Sequence, residues 1–385
     1  MKILVSGAGV AGLSLGRDLG MRGQHVTIVE RADRLRGNGS PIDVRGDAIG
    51  VAEKMGILPA VRDARIRMTE QVHFVDENGA AVGRLPADIG DSPDDIEIAR
   101  EDLSRILADA LPASVDLRLS ESVRSIAERD DRVEVGFASG TSESFDLVLG
   151  ADGVHSAVRR LVFGPERDWI RHLGLYVAIV DMPGEADADA ERINPMYSFP
   201  GHLAGIARFK DKAIGLLMFR SDPLDYDHRD VEAQKKILFG RFADCRAWKV
   251  QAILDAVHDD PGSYFDAVSQ IHLPTWHRGR VALVGDAAHC ASPLAGRGTS
   301  LAMTGAQFLA EELERSDGDH VTAFPRYEAR QRPYAEFAQG TVEGGGALLV
   351  PPTEEAIVAR NRLLQPVADG GAATSSREDR GEPVP

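Results

Sequence analysis

VALVGDAAHCASPLAGRGTSLAMTGAQFLAEEL, residues 281–313, reads as a buried strand, a tight acidic turn, a loop of small residues and a long helix. The chain already opens with a similar device, ILVSGAGVAGLSLGRDLGMRGQHVTIVE at residues 3–30. Loops of this kind expose backbone N–H groups at a helix N-terminus, where an anion is stabilised. Two of them, so far apart in one chain, mean either two ligands or two parts of one long anionic ligand.

The early stretch is the more specific. Gly7 permits a tight turn, Gly9 lets the backbone approach a pyrophosphate, and Gly12 lets the helix pack close to the strand. Val10 and Ala11 open the helix whose N-terminus faces the anion. The second strand ends at Glu30, where a carboxylate can accept hydrogen bonds from an adenosine ribose. An acid there suits FAD or NAD better than NADP, although Arg31 follows it directly.

The late stretch separates FAD from NAD. Gly285 and Asp286 close an apolar strand, and the Asp286 carboxylate can accept from polyol hydroxyls. Pro293, Gly296 and Gly298 then expose backbone N–H groups where Thr299 and Ser300 begin a helix. The positive end of that helix would stabilise negative charge on the N1/C2=O edge of a reduced isoalloxazine ring. Adenosine and pyrophosphate at residues 7–30, with ribityl and flavin at 285–300, describe one molecule of FAD.

Three motifs in order, GAGVAG, GADGVHSAVR and GDAAHCASPLAGRGTS, carry a resemblance over nearly the whole chain. The sequence resembles the single-component FAD-dependent aromatic hydroxylases, the para-hydroxybenzoate hydroxylase-like group A flavoprotein monooxygenases. Within them it is most similar to the bacterial branch of tetracycline-inactivating and polyketide-tailoring enzymes. The resemblance implies that Asp152 and Gly153 help hold the pyrophosphate region and the nicotinamide donor, with Ser156 and Arg159 on the helix that follows. It also implies that Arg100 reaches the ribityl–pyrophosphate region, a task that suits a guanidinium fork. The loop GNGSPIDVRG should lie beside the flavin's inner edge, with Gly39, Ile42 and Asp43 as candidates. Pro293, Gly296 and Arg297 should flank the reacting ring. The chain departs from the family where Arg297 and Ser300 replace the usual Gln and Asn, so side-chain contacts there do not carry over. His289 reads as structural and Cys290 as a small apolar filler.

No Ser/His/Asp arrangement and no metal-ligand spacing is present in the sequence, so the cofactor should carry the hard step. The resemblance implies a monooxygenase that consumes NADPH or NADH at a transient site. It would deliver one oxygen atom from O2 through a flavin C4a-hydroperoxide to an electron-rich, moderately hydrophobic small molecule, aromatic or polyketide-like. Hydroxylation, epoxidation and Baeyer–Villiger insertion all remain open. So do an FAD-dependent reductase or dehydrogenase without oxygen insertion and a redox-silent FAD-binding protein. A flavin-dependent halogenase is disfavoured, since Trp169, Trp248 and Trp276 form no W-x-W pair. Met196, Phe199, Arg208, Leu217, Phe219 and Gln270 are the candidates to face substrate.

The fold class that follows is α/β, a Rossmann-like FAD-binding domain with an interleaved, mainly antiparallel substrate sheet and C-terminal helices. Residues 1–167 and 276–320 should form the FAD-binding domain and 168–275 the substrate domain, with part of 65–100 able to join its sheet. Residues 319–340 and 353–364 read as helices, with Pro325 and Pro333 limiting the first. Residues 321–366 thus form C-terminal helices. Residues 367–385, almost without large apolar groups, should be disordered. The net charge of −16 disfavours nucleic acid and anionic membranes as partners. No apolar run reaches about 20 residues, and no secretory signal opens the chain. Two cysteines cannot build a disulfide framework, so a reducing cytoplasm is the expected compartment. A monomer or homodimer is expected.

Overall fold

The computed structural model describes residues 1–35, 40–66, 71–85, 92, 94–186, 193–209, 212–342, 345–364 and 366. Gly39 and the tail 367–385 lie outside the described residues.

The N-terminal part runs β1 (Lys2–Ser6), α1 (Val10–Met21), β2 (His25–Glu30), β3 (Ile42–Val44), α2 (Asp47–Lys54) and α3 (Leu58–Asp63). It continues with β4 (Gln71–Val75), β5 (Ala81–Arg84), β6 (Ile96–Ile98), α4 (Arg100–Asp109), β7 (Val115–Leu119) and β8 (Val123–Glu128). Then come β9 (Val133–Phe137), β10 (Ser142–Phe145), β11 (Leu147–Gly150) and α5 (Ala157–Phe163). The middle of the chain is β12 (Ile170–Asp181), β13 (Ile193–Phe199), β14 (His202–Phe209), β15 (Lys212–Arg220), α6 (Val231–Phe242), α7 (Val250–Asp259) and β16 (Tyr264–Ile271). The last part is β17 (His277–Arg278), β18 (Val281–Leu283), α8 (Asp286–His289), α9 (Gly298–Arg315), α10 (His320–Gly340), α11 (Gly345–Leu349) and α12 (Glu354–Asn361).

Two large sheets organise these elements. The first has the order β17-β18-β11-β1-β2-β7, parallel throughout except for β17. Its strands are apolar runs such as ILVS and LVLG, as a sheet buried on both faces requires. The second has the order β16-β12-β15-β14-β13-β4-β5 and is antiparallel except where β4 runs parallel to β13. Thus two strands from the 71–84 region complete this sheet. A short ribbon, β3 with β6, stands beside α9.

The second sheet buries both its faces, against different partners. Tyr176, Ala178, Ala204, Ile206, Leu217 and Phe219 pack with Leu238, Phe242, Ile253 and Val257 of α6 and α7. Phe74, Leu175, Val177, Met196, Leu203 and Met218 form the opposite cluster, which Leu294, Leu349 and Val350 join. Each fully buried side chain of this size contributes about 1.5–3 kcal/mol by leaving water. The strict alternation along β15 therefore assigns odd residues to the helices and even ones to the face that meets Leu294.

One helix differs from its sequence-based expectation. α10 runs unbroken through Pro325 and Pro333. Each proline forfeits an N–H bond at a cost of about 3 kcal/mol. Packing outweighs it: Phe324, Tyr327, Gln331, Ala335 and Ala338 are buried along α10. Tyr327 also donates to the Leu283 carbonyl at 3.1 Å, and Gln331 to the Leu301 carbonyl at 3.0 Å.

Candidate functional site

The strand order places three motif turns side by side. β18, β11, β1 and β2 are parallel neighbours, so Gly285, Asp152, Gly7 and Glu30 fall at the carboxyl ends of adjacent strands. That edge is where open α/β sheets bind ligands. Backbone bonds lock the turns together: Gly7 N–H donates to Val29 O at 2.7 Å, Ala151 N–H to Ser6 O and Val284 N–H to Gly150 O, both at 2.8 Å.

In the first turn, packing demands two of the three glycines. A Cβ on Gly12 would stand 1.8 Å from the Gly7 carbonyl oxygen, and one on Gly7 (φ +103°) 2.5 Å from Ala151 O. Gly9 is different, since its Cβ would meet nothing within 4 Å. Val10 and Ala11 are buried at the start of α1, which has neither a capping side chain nor an acidic residue in its first turn. Its first N–H groups therefore have no partner within the helix or from a cap. Glu30 accepts from Ala8 N–H at 2.9 Å and from Ala32 N–H at 3.0 Å, bracing the turn it was expected to serve. Arg31 beside it is exposed.

In the middle turn Asp152 caps α5. Its carboxylate accepts from Ser156 Oγ, from Ala157 N–H at 2.8 Å and from Val158 N–H at 3.1 Å. Burial pushes this carboxyl up against the pull of those bonds. Gly153, at φ +80°, also faces open space. Arg159 is fully buried and reaches across to the third turn, donating to Ala287 O at 3.0 Å. Glu166 neutralises it at 2.9 Å.

The third turn begins at Gly285 (φ +63°), where a Cβ would lie 2.9 Å from the Ala11 Cβ of the first helix. Asp286 is exposed at this edge. His289, the last residue of α8, is buried against Trp276, its ring 4.6 Å from the indole. Neither of its ring nitrogens has a hydrogen-bond partner among the described residues, and burial pushes its pKa down to about 4. Cys290 is buried, and burial pushes its thiol up. Pro293, Gly296 and Gly298 are exposed, and Thr299 and Ser300 are half-buried in the first turn of α9. Arg297 precedes them with its guanidinium 5.1 Å from the Phe337 ring centre.

In the small ribbon, Asp43 sits in the middle of β3, opposite Glu97, and Arg100 begins α4 just past β6. The residue that fastens this ribbon to the third turn, Arg45, was not singled out from the sequence. Its N–H donates to Ser300 Oγ at 3.0 Å, and its guanidinium pairs with Asp43 at 2.9 Å. The signal available was a basic residue directly after the short extended run IDV.

The substrate candidates divide by face. Met196 belongs to the cluster that includes Leu294 of the third turn. Gln270 lies at the same junction, where its amide donates to Gln339 O at 2.9 Å. Phe199, Leu217 and Phe219 do not face that way: strand alternation sends them to the side covered by α6 and α7. Arg208 follows Ala204 and Ile206 on that same side and is held by Glu185 at 2.7 Å, which Lys249 also binds. Their neighbours Leu203 and Met218, with Phe74 from β4, occupy the opposite face, which meets Leu294 of the third turn. Arg220 and Arg360 also approach it, donating to the carbonyls of Val350 and Leu348. Among the described residues, neither guanidinium has a carboxylate partner, and burial pushes Arg360 down to about 10.

The residues present fit a long cofactor with an anionic middle. Gly9, Gly153 and Gly298 each leave space where a Cβ would project, on three neighbouring turns. Two uncapped helices, α1 and α9, begin there.

Comparison with known proteins agrees. The FAD binding domain family matches residues 1–167 and 262–336. An uncharacterized protein of Mycobacterium tuberculosis is 39% identical, covering 92% of this chain and 96% of its own. A flavin-dependent monooxygenase of Legionella longbeachae is 37% identical, over 88% of this chain and 87% of its own. Among solved structures, the tetracycline destructase Tet(51) superposes with a TM-score of 0.83 at 35% identity, covering 94% of this chain and 95% of that one.

Proposed function

The chain belongs to the FAD-dependent monooxygenases built on this FAD-binding domain, and from that premise we propose that its substrate is an electron-rich, polycyclic phenol of the polyketide type. The observation that carries this reading is the apolar face of Phe74, Met196, Leu203 and Met218, set against Leu294 of the third turn. Its overlap in shape and sequence with a tetracycline destructase supports the same class.

FAD held here would supply the redox chemistry, with NADPH or NADH as reductant and O2 as oxidant. The chain's own residues bind, orient and exclude water. We assign the pyrophosphate to the first turn, at Gly9, Val10 and Ala11, and the ribityl chain to Asp286. Glu30 would receive the ribose. Pro293, Gly296, Thr299 and Ser300 would lie along the flavin, where the α9 N-terminus favours negative charge. Arg45 and Arg100 would approach the cofactor from the ribbon side. Residues 1–167 with 276–320 serve in this reading as the FAD-binding part, and 168–275 with β4 and β5 as the substrate part. The buried apolar cluster around Met218 would exclude water where the sheet meets the third turn, as oxygen transfer requires. Arg220 and Arg360 favour a substrate that carries an ionised phenol or enol. The oxidant is O2, and the working unit is a monomer or homodimer.

Labelled oxygen gas tests this directly. Holoenzyme with NADPH and tetracycline, run beside a simple phenol, should place one labelled atom in the tetracycline product. Consumption of NADPH with no label in any product would overturn oxygen insertion. Label in the simple phenol alone would overturn the substrate class.

A further inference from the structure

His155 is the one residue of the middle motif that reaches the substrate sheet. Its Nδ1 lies 2.9 Å from Glu166 Oε1. Its Nε2 lies 3.2 and 3.1 Å from the two oxygens of Asp266, in β16. Its ring stacks on that of His228, with centres 4.2 Å apart and planes within 10°. Three separate pieces therefore meet on one imidazole: the turn after β11, the edge strand of the second sheet, and the loop between β15 and α6. The Met218 and Arg220 positions lie just upstream of that loop.

We propose that His155 is a positioning residue, an imidazolium clamp that seats the substrate sheet and the 221–230 loop against the cofactor turn. The chemistry requires the charged form. A neutral imidazole has one N–H, so one of the two carboxylates would face a lone pair. The surroundings favour the cation. Although burial opposes it, hydrogen bonds and charge from Asp266 and Glu166 hold His155 up at about 9. The other groups facing the cluster are accounted for. Arg159 and Arg160 of α5 pull on Glu166. Tyr226 and Tyr176 both lie near Asp266. His228 is held below its ordinary value by burial and then by the charge on His155, with Arg229 and Asp227 acting in opposite senses. A neutral ring stacked on a cationic one is the result. Removing the proton from His155 should free the loop and open the sheet–cofactor junction to water.

The test uses the FAD-loaded full chain, with two readouts that need no substrate. Amide hydrogen exchange, corrected for intrinsic pH dependence, follows residues 221–230 and β16. Iodide quenching of bound-flavin fluorescence follows water access at the cofactor. In the native protein both should stay low to about pH 8 and rise through about pH 9, the loop losing about tenfold in protection. H155Q should show the raised values at every pH, with no step, while its FAD content matches the native protein. D266N should lower the pH of the step, because one carboxylate no longer supports the cation. Flat profiles in the native protein, or a step that survives in H155Q, would overturn the clamp. Should H155Q not fold, D266N and a histidine NMR titration of the native protein decide instead: a His155 resonance that titrates near pH 6.5 overturns the proposal.

Discussion

Two of the motif turns carry the same short pattern and end in opposite states. In DGVH, residues 152–155, and in DAAH, residues 286–289, a histidine follows a turn aspartate by three positions. His155 stands between two carboxylates and is held up at about 9. His289 stands against Trp276, its ring nitrogens without a hydrogen-bond partner among the described residues, and is pushed down to about 4. The first is a cation at neutral pH and the second is not. The difference comes from what each turn faces. The middle turn meets the Asp266 carboxylate of β16, whereas the third is packed into the core. An unpartnered imidazole costs less in such a place than an unpartnered charge would.

The largest break in this symmetry should come from removing the clamp. His155→Leu leaves Asp266, itself nearly buried, and Glu166 without their shared cation. Loss of the shared partner from this half-buried cluster should cost about 2–4 kcal/mol, below the value for a fully buried pair, measured by chemical denaturation at pH 7. A loss below about 1 kcal/mol would mean that the cluster is solvated and the contrast is unreal.

Next comes the alkaline limb. A folded value raised from 6.5 to about 9 contributes stability that is complete below pH 6.5 and is lost as pH rises through 9. The loss should be about 3 kcal/mol by pH 10, and Asp266→Asn should shrink it. The acid limb has the opposite sign. Because His289 is lowered from 6.5 to about 4, its contribution is complete above pH 6.5 and is lost as pH falls through 4. His289→Phe should flatten that part of the acid limb. At pH 7 it should change stability by only about 1 kcal/mol, since the ring borders a cleft of about 290 Å³ that can absorb the added volume. A thermal melt series from pH 4 to 10 reads both limbs together.

The smallest expected effect asks whether the turns serve one ligand. Gly9→Ala and Gly298→Ala each add a methyl to open space. Both should leave apoprotein stability within about 0.5 kcal/mol. Each should weaken FAD binding by about tenfold, or 1.4 kcal/mol, by flavin fluorescence titration. If only one of the two does so, the cofactor does not span both turns.

Much of the molecule could be read from residue order. The glycine spacing at 7–12 is dictated by contacts within one strand–turn–helix unit, so local sequence carries it. The alternation in KAIGLLMFR likewise announces a strand. It could not tell which face would meet the cofactor, because Leu217 and Met218 are equally apolar. Phe199, Arg208, Leu217 and Phe219, expected to face substrate, lie on the side that α6 and α7 cover. Arg45 escaped notice for a related reason, since its partner Ser300 lies 255 positions away.

What the sequence determined by itself was therefore local: where the turns are, which residues can lie in them, and that their backbones can receive an anion. Hydrophobic period and glycine sterics act over a few residues and need no distant partner. The tertiary structure alone decided which turns become neighbours, which face of the second sheet looks toward them, and which of two identically spaced histidines keeps its proton. Each of those depends on the strand order β18-β11-β1-β2 and on charges brought from far along the chain, and electrostatic energy is set by distance in space rather than by spacing in sequence.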